Sequence, residues 1–151
     1  HGGKEYYRYP SPNLQRVCRK FVKSGADLVV CQHSHCIGCE EKYLGGTIVY
    51  GQGNFLFDDS KSEFWQTSIL INIDDDFKIS YIPIKKKNET VRLAPQKDAC
   101  DILDSFTQRS EEIKRKGFVE ERYSEFAYSM LNGYLFQVSG YGKSVFFSGS
   151  K

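Results

Sequence analysis

The sequence predicts a mixed α/β fold, and three patterns support this class. A helical pattern that begins at Ser11 leads directly into a short apolar strand that ends at Val30. Alternating apolar residues over positions 65–84 predict an antiparallel hairpin, and apolar residues at helical spacing after position 98 predict two further helices. With 151 residues, 40% of them hydrophobic, the chain is long enough to bury one core.

The first helix is predicted to begin at Ser11-Pro12, because a capping hydroxyl precedes a proline at the first helical position. Gly25 is placed to end it with a left-handed residue. Its apolar face carries Leu14, Val17, Cys18, Phe21 and Val22. Its basic residues, Arg16, Arg19, Lys20 and Lys23, fall mainly on the other side. We expect that basic face to be solvated surface, with a phosphate-binding patch as the alternative.

A buried strand is predicted at residues 26–30, and His33 and His35 follow it one residue apart. Imidazoles are the commonest protein ligands for transition metals, and open α/β sheets keep their sites at the carboxyl ends of strands. These histidines are therefore predicted to bind a metal ion, the alternative being ordinary loop histidines.

Three of the five cysteines, Cys31, Cys36 and Cys39, surround the histidines. They raise the alternative of a zinc or iron-sulfur site built on thiolates, but their spacing matches no common ligand pattern. Buried or half-exposed thiols are therefore the preferred interpretation, and the roles of these cysteines stay open. The odd number of cysteines favours a reducing compartment.

A second pair of strands is predicted at residues 40–44 and 47–50, joined by a turn at Gly45-Gly46. The glycine-rich residues 51–58 follow the second strand. Two glycines before Asn54 indicate that the backbone passes close to another group. A loop at a functional site and a simple bulge both explain this pattern.

The hairpin is predicted to pair residues 65–73 with 77–84 through an aspartate turn at 74–76. The three aspartates resemble half of a calcium loop, but its glycine and terminal glutamate are missing, so a plain turn is expected. Pro83 is expected to place the second strand, or its end, at a sheet edge, and the lysines at 85–87 to form a solvated exit from it.

Two helices are predicted at residues 98–116 and 120–138, separated by Gly117. Gly133 weakens the second half of the later helix. The apolar stripe of that helix is expected to lie in the core, and it consists of Tyr123, Phe126, Ala127, Met130, Leu131, Tyr134 and Leu135. The glycines at 140–144 only superficially resemble a phosphate loop, because the first glycine of that motif is absent.

The net charge of +2 gives no reason to expect a nucleic-acid partner. No apolar run approaches the roughly 20 residues that span a bilayer, and no secretory signal opens the chain. Since the first residue is His1 and not methionine, we expect a fragment of a longer protein, whose upstream part could carry an anchor or signal.

The first 58 residues and their motifs resemble the second half of the bacterial CapA-like capsule-synthesis (poly-γ-glutamate synthesis) family. That family looks like a branch of the calcineurin-like metallophosphoesterases. The residues that carry the resemblance are His1-Gly2-Gly3-Lys4-Glu5-Tyr6, Pro10, Gln15, Gly25-Ala26-Asp27-Leu28-Val29, His33-Ser34-His35, Glu41, Tyr43, Ile48, Tyr50 and Gly53-Asn54-Phe55-Leu56-Phe57-Asp58. The hairpin also resembles the segment after the domain in such proteins, whereas the final helices resemble nothing identified.

The resemblance implies the carboxyl-terminal half of a two-sheet sandwich flanked by helices, followed by an antiparallel hairpin and two helices. The expected divisions are residues 1–58 for the CapA-like part, 59–95 for a hairpin that completes the sheet, and 96–151 for a helical extension. It also implies that His1, His33 and His35 bind metal and that Glu5 is a nearby catalytic or substrate-facing carboxylate. Asn54 is implied to be a second catalytic residue, in a loop at the rim of the cleft.

The implied cofactor is a divalent transition metal (manganese, zinc or iron), dinuclear in the full-length parent. The implied partners are a phosphorylated or polymeric surface-polymer precursor, the missing amino-terminal half of the same fold, and a membrane-associated synthesis complex. Family members are often anchored in the cell envelope, whereas the free thiols favour the cytoplasm, so the location stays open.

Three functions are weighed. The first is a fragment of a metal-dependent phosphoesterase in capsule or poly-γ-glutamate synthesis, inactive alone because a complete superfamily site needs motifs from the other half and all three histidines here are already used. The second is a non-catalytic scaffold of a polymer synthesis or export assembly. The third is a small metal-binding module built on cysteine and histidine.

Overall fold

The fold consists of two small sheets and the helices around them, seen in a computed structural model that describes residues 2–56, 62–87 and 90–139. The helices are α1 (Pro12–Lys23), α2 (Glu63–Gln66), α3 (Gln96–Glu112) and α4 (Phe118–Ser139). The strands are β1 (Leu28–Val30), β2 (Glu40–Tyr43), β3 (Gly46–Val49), β4 (Thr67–Ile73), β5 (Ile79–Lys87) and β6 (Thr90–Leu93). The predicted mixed class of helices and strands is confirmed.

Helix α1 begins and ends where its sequence predicts. The Ser11 side chain accepts a hydrogen bond from the backbone N–H of Leu14 at 3.1 Å, and Gly25 follows the helix with φ +104°. Cys18 and Val22 of its apolar face are buried against the first sheet, whereas Phe21 is 56% exposed. The helix therefore packs along one narrow stripe.

The first sheet has the order β1-β3-β2, with β1 parallel and β2 antiparallel to the central β3. All four residues of β3 are buried, but in β1 Leu28 and Val29 are only half-buried and Val30 is 38% exposed. The prediction that β1 is a buried strand was wrong, because in the described part of the chain it is an edge strand. The hairpin turn between β2 and β3 is Leu44-Gly45, one residue earlier than predicted, and both residues have positive φ.

The predicted hairpin is confirmed as β4 and β5, but β6 adds a third strand in the order β4-β5-β6. The hairpin therefore forms a second sheet and does not complete the first one. It is joined to the loop after β3 by an isolated bridge between Gly53 and Ser68 and by a hydrogen bond from the Ile69 N–H to the Gln52 carbonyl at 2.8 Å.

Pro83 lies at a local edge, because among the described strands residues 79–83 pair with β4 alone, but β5 as a whole is the central strand and not an edge strand. Residues 84–87 pair with β6 on one side, and residues 84 and 85 also pair with β4 on the other. Pro83 is tolerated because its missing N–H lies just beyond the end of the β5–β6 ladder. The lysines at 85–87 are correspondingly strand residues and not a solvated exit, and Lys85 forms an ion pair with Asp98 of α3 at 2.7 Å.

The two long helices confirm the predicted periodicity, with Gly117 (φ +82°) between them. The expectation that the whole apolar stripe of α4 lies in the core was wrong. Phe126 stacks on Tyr7 with a centroid distance of 4.4 Å, but Met130 is 56% exposed and Tyr134 is 68% exposed. The glycines at 140–144 lie outside the described residues. In the described part of the chain, no helix combines the length and apolarity that a bilayer crossing needs.

The core has two clusters of buried residues that share the first sheet. One packs α1 and the first sheet against the junction of α3 and α4; its buried members are Cys18, Val22, Cys31, Cys39, Ile48, Tyr50, Ile113 and Val119. The other joins the two sheets and α3; its buried members are Ile37, Val49, Ile69 and Phe106. This packing holds the segment after β1 against the loop after β3.

Candidate metal site

The candidate site forms where the amino-terminal loop pairs with the segment that follows β1. The Gly3 N–H donates to the Gln32 carbonyl at 3.3 Å, and the Tyr6 N–H donates to the Ser34 carbonyl at 2.8 Å. A side chain at position 3 would collide with Ser34, since an added Cβ would lie 2.7 Å from the Ser34 Cβ. These contacts bring the first residues of the chain beside the two histidines.

Three of the predicted site residues lie together. Glu5, His33 and His35 each offer one ligand atom, and these three atoms lie within 4.8 Å of one another. Glu5 is exposed and the two histidines are half-buried, so the cluster opens to solvent. His1, the third predicted histidine ligand, lies outside the described residues. The roles assigned to these residues remain predictions.

The backbone at the site is unusual. Tyr6, His33 and His35 have φ of +59°, +86° and +55°, and in the described part of the chain only Leu44 and Phe77 also have positive φ without being glycine. Leu44 and Phe77 are turn residues of the two hairpins. Left-handed backbone at non-glycine residues costs free energy and is concentrated at functional sites. Three of the five non-glycine residues with positive φ in the described part of the chain therefore lie at the candidate site.

The donor set fits a divalent transition metal. Two imidazoles and one carboxylate are the ligands of many zinc, iron and manganese sites. Around a tetrahedral zinc ion with bonds of about 2.0–2.1 Å, ligand atoms lie about 3.4 Å apart. The three ligand atoms here lie within 4.8 Å of one another, so side-chain movements on the order of 1 Å separate this arrangement from tetrahedral geometry.

Asn54 contacts the Nδ1 edge of the His35 ring, and the residue is only 3% exposed. Its Oδ1 lies 2.8 Å from the His35 Nδ1, and its Nδ2 donates to the carbonyls of His35 and Phe64, each at 3.0 Å. The glycine-rich loop after β3 is thus a loop at the candidate site. Asn54 and Gly53 line the cleft beside His35, and the catalytic role assigned to Asn54 stays a prediction. Phe57 and Asp58 of the same motif lie outside the described residues.

An aromatic group around His35 was missed by sequence reasoning. Trp65 stacks on the His35 ring with a centroid distance of 4.9 Å and an interplanar angle of 27°. Tyr6 lies 6.3 Å from both of these rings. The alternating pattern places Trp65 at the start of a strand, whereas it belongs to α2, which Ser62 caps through a 3.4 Å bond to the Phe64 N–H. Ser62, a residue type that commonly caps helices, was the one sequence signal that could have predicted α2.

Two open clefts border the cluster. One, of about 590 Å³, lies on the side of His35 and Asn54 and is lined by residues of the loop after β3 and of β4. The other, of about 480 Å³, lies between Glu5 and His33 on one side and the exposed apolar side chains of α4 on the other. A ligand can therefore approach the three candidate metal ligands from either side.

The cysteines do not join this cluster. Within the described residues, the one group of three or more potential metal ligands contains no cysteine. Cys36 and Cys39 are 1% and 0% exposed, and burial raises the pKa of both thiols. Because only the thiolate binds metals well, this environment opposes metal binding by Cys36 and Cys39. Cys31 is buried too, but its contact with the Cys18 Sγ at 3.4 Å lowers its pKa, so its role stays open.

Known proteins resemble the first part of this chain. Residues 1–59 match the model of the family described as bacterial capsule synthesis protein PGA_cap. Over 58 residues the chain is 40% identical to the capsule biosynthesis protein CapA of Bacillus anthracis and 38% identical to the PGA biosynthesis protein CapA of Bacillus subtilis strain 168. The amino-terminal segment is CapA-like.

The match covers 38% of this chain and 14% and 15% of the two relatives, so the chain spans a small part of their length. The resemblance identified from the motifs is confirmed for this segment, which contains Glu5, His33, His35 and Asn54. The candidate metal site is therefore a feature of the CapA-like segment, while α3 and α4 lie outside it.

Proposed function

We propose that the CapA-like segment holds one divalent transition metal ion through Glu5, His33 and His35, with His1 as a further ligand. We further propose that it does so as part of a metal-dependent phosphoesterase-like protein of capsule or poly-γ-glutamate synthesis. The convergence of Glu5 with the two histidines is the observation that carries this proposal, because residues 28 positions apart in sequence meet with compatible donor chemistry.

The chemistry follows from the residue types. A divalent ion held here would polarise a phosphoryl oxygen and lower the pKa of a bound water molecule. The two imidazoles bind the ion as neutral donors, and Glu5 supplies negative charge from the solvent side. The two clefts let a phosphorylated or polymeric precursor of a surface polymer reach the site.

We propose that this chain alone is inactive. Its described residues provide one group of three candidate ligands, and the sequence has only three histidines in all. A dinuclear centre needs further ligands, which the missing half of the fold would supply in the full-length protein, within a membrane-associated synthesis complex. The second candidate is a scaffold of the synthesis assembly that has kept the fold without catalysis.

The metal proposal is tested by isothermal titration of the chain with Mn²⁺ and Zn²⁺. We expect about one ion per chain, and at least about tenfold weaker binding in His33→Ala, His35→Ala and Glu5→Gln, since each removes one ligand. Glu111→Gln is the matched control. Glu111 is an exposed carboxylate on α3 and forms an ion pair with Lys114, which follows the helix. Equal binding by all variants, or none by the unmodified chain, would refute the site.

The enzymatic proposal is tested on the full-length protein. Two bound ions, together with hydrolysis of an aryl phosphodiester that is lost in His35→Ala, would support a phosphoesterase. Bound metal without hydrolysis would instead favour the scaffold. Single replacements of Cys31, Cys36 and Cys39 by alanine are expected to leave the bound metal unchanged. Loss of metal in a variant whose circular dichroism spectrum shows an intact fold would revive the cysteine-based module.

A further inference from the structure

The orientation of the Asn54 side-chain amide is fixed by its neighbours. Two of its hydrogen bonds go to backbone carbonyls, those of His35 and Phe64, both 3.0 Å from Nδ2. Carbonyl oxygens only accept hydrogen bonds, so the atom that faces them must be the amide nitrogen. The remaining atom, Oδ1, is then the one that faces the His35 ring at 2.8 Å. At 3% exposure, water has little access to exchange these partners.

This orientation decides which ring nitrogen of His35 carries the proton. An amide oxygen only accepts, so a hydrogen bond at this distance requires His35 Nδ1 to be the donor. In the neutral ring the other nitrogen, Nε2, then has the lone pair. The opposite tautomer would bring two lone pairs together in a buried position, which is unfavourable.

We propose that Asn54 is a positioning residue that holds His35 in the Nδ1–H tautomer, which makes Nε2 the atom through which His35 binds metal. The second half of this statement rests on the metal site proposed above. Metal-binding histidines commonly donate their other ring N–H to an acceptor that fixes the ring. Here the acceptor is a neutral amide, so Asn54 orients the ring without adding negative charge to the site.

Two further contacts support a positioning role. Asn54 bonds to both the ring and the backbone carbonyl of His35, so one side chain holds the imidazole and the left-handed backbone from which it projects. Trp65 stacks on the same ring from a different element, α2, whose Phe64 carbonyl is the third partner of Asn54. The imidazole is therefore fixed by an amide at its edge and by an indole on its face.

The tautomer is measurable without any metal. The chain is labelled with ¹⁵N-histidine, and long-range ¹H–¹⁵N correlation spectra are recorded in metal-free buffer at about pH 8, where an unperturbed imidazole is neutral. The His35 signals are assigned by their absence in His35→Gln. We expect a protonated Nδ1 and an unprotonated Nε2. A protonated Nε2, or signals averaged between the two forms, would overturn the proposal.

The role of Asn54 is tested with Asn54→Leu, which keeps a similar volume but has no acceptor. We expect the Nδ1–H form to lose its dominance and the affinity for Zn²⁺ to fall about 10–100-fold. Asn72→Leu is the control, since Asn72 is exposed on β4 and its amide donates to the Ser80 hydroxyl, away from the candidate site. If Asn54→Leu keeps the Nδ1–H form, Asn54 does not position the ring.

The outcomes separate this inference from the proposed function. If the unmodified chain shows the Nδ1–H form but binds no Zn²⁺, the metal site is refuted and the tautomer assignment stands. If it binds Zn²⁺ with His35 in the other tautomer, the positioning role is refuted and the metal site stands. The spectrum of the unmodified chain decides the assignment even where Asn54→Leu fails to fold.

Discussion

Gly53 is the residue at which the loop after β3 passes against β4. Its φ is +85°, and an added Cβ would lie 2.5 Å from the Thr67 carbonyl oxygen. A side chain at position 53 would collide with the β4 backbone. It would also have to adopt a left-handed backbone conformation, which is unfavourable for residues other than glycine. Because Asn54 follows directly, the position of Gly53 also determines where the amide meets His35.

We therefore expect Gly53→Ala to lower the free energy of unfolding by about 1–3 kcal/mol or more. Gly133→Ala is the matched control, because Gly133 lies inside α4 with nothing within 4 Å of an added Cβ. That control should raise the free energy of unfolding by up to about 1 kcal/mol. Urea unfolding of both variants is the measurement, and equal effects in the two variants would contradict the account of Gly53.

Tyr9 links the amino-terminal loop to α3, since its hydroxyl donates to Glu112. Burial, followed by this hydrogen bond to a carboxylate, raises the pKa of Tyr9 to about 12. A raised pKa means that the folded state holds the proton more tightly than the unfolded state, so the contribution to stability is constant below about pH 10 and lost between pH 10 and 12.

The expected result is a free energy of unfolding that declines above about pH 10, and less steeply in Tyr9→Phe than in the unmodified chain. Tyr134→Phe on the exposed face of α4 serves as the comparison and should follow the unmodified chain. Chemical unfolding at a series of alkaline pH values measures this. Identical pH profiles for Tyr9→Phe and the unmodified chain would show that Tyr9 does not contribute.

The candidate ligands His33 and His35 could be picked out by their residue type and spacing, and Glu5 through the family resemblance; that they bind metal stays a prediction. The contact of Asn54 with His35 could not be predicted, because it depends on where a loop from another strand passes. Trp65 was missed for the same reason, and its strand assignment hid the stacking. The sequence thus indicates the residues that could bind metal, but not the residues that position their side chains.

Among the elements, α4 differs most from the prediction. Phe126 on its first half packs on Tyr7, whereas Tyr134 on its second half is 68% exposed. We expect Phe126→Ala to lower the free energy of unfolding by about 1–3 kcal/mol, since it removes a half-buried stacked ring. Tyr134→Ala should change it by no more than about 0.5 kcal/mol. Thermal unfolding distinguishes them, and similar losses in the two variants would mean that the second half of α4 also packs in the core.

Element type was predictable where the signals are local. Helix α1 has its serine cap, its proline and its terminal glycine within the chain itself, and all three act as expected. The prediction that β1 is buried was wrong, and so was the prediction that β5 is an edge strand. Both properties depend on which strands pair next to these two. Neighbouring strands are set by contacts far apart in sequence, and β6 had no alternating pattern long enough to predict.

At the scale of the whole molecule, a ligand that binds only the folded chain stabilises it. With Zn²⁺ at about 100 times its dissociation constant, the gain is about 2.7 kcal/mol. For a chain of this size that corresponds to a rise in Tm of about 5–10 °C. Removal of the ion with a chelator should reverse the rise, and at the same Zn²⁺ concentration His35→Ala should show at most about half of it, because its affinity is at least about tenfold weaker. A rise of equal size in His35→Ala would place the bound ion elsewhere.

The joining of the two sheets is also a property of the whole molecule. The mixed class followed from the sequence, but the hairpin forms its own sheet and meets the first one through the loop after β3 and a shared cluster that includes Val49 and Ile69. Sequence patterns give the faces of strands and not the sheets to which they belong. The family resemblance covered the CapA-like segment and gave no account of α3 and α4.

The left-handed backbone at His33 and His35 has a consequence for protein engineering. At φ of +86° and +55°, a glycine would relieve the contact between Cβ and the preceding carbonyl, so His33→Gly should be about 1 kcal/mol more stable than His33→Ala. Among variants that lack the His33 imidazole, a search for thermostable forms of this chain would therefore favour glycine over alanine. Every such variant has lost a candidate metal ligand, so enrichment for heat resistance alone gives no protection to that position.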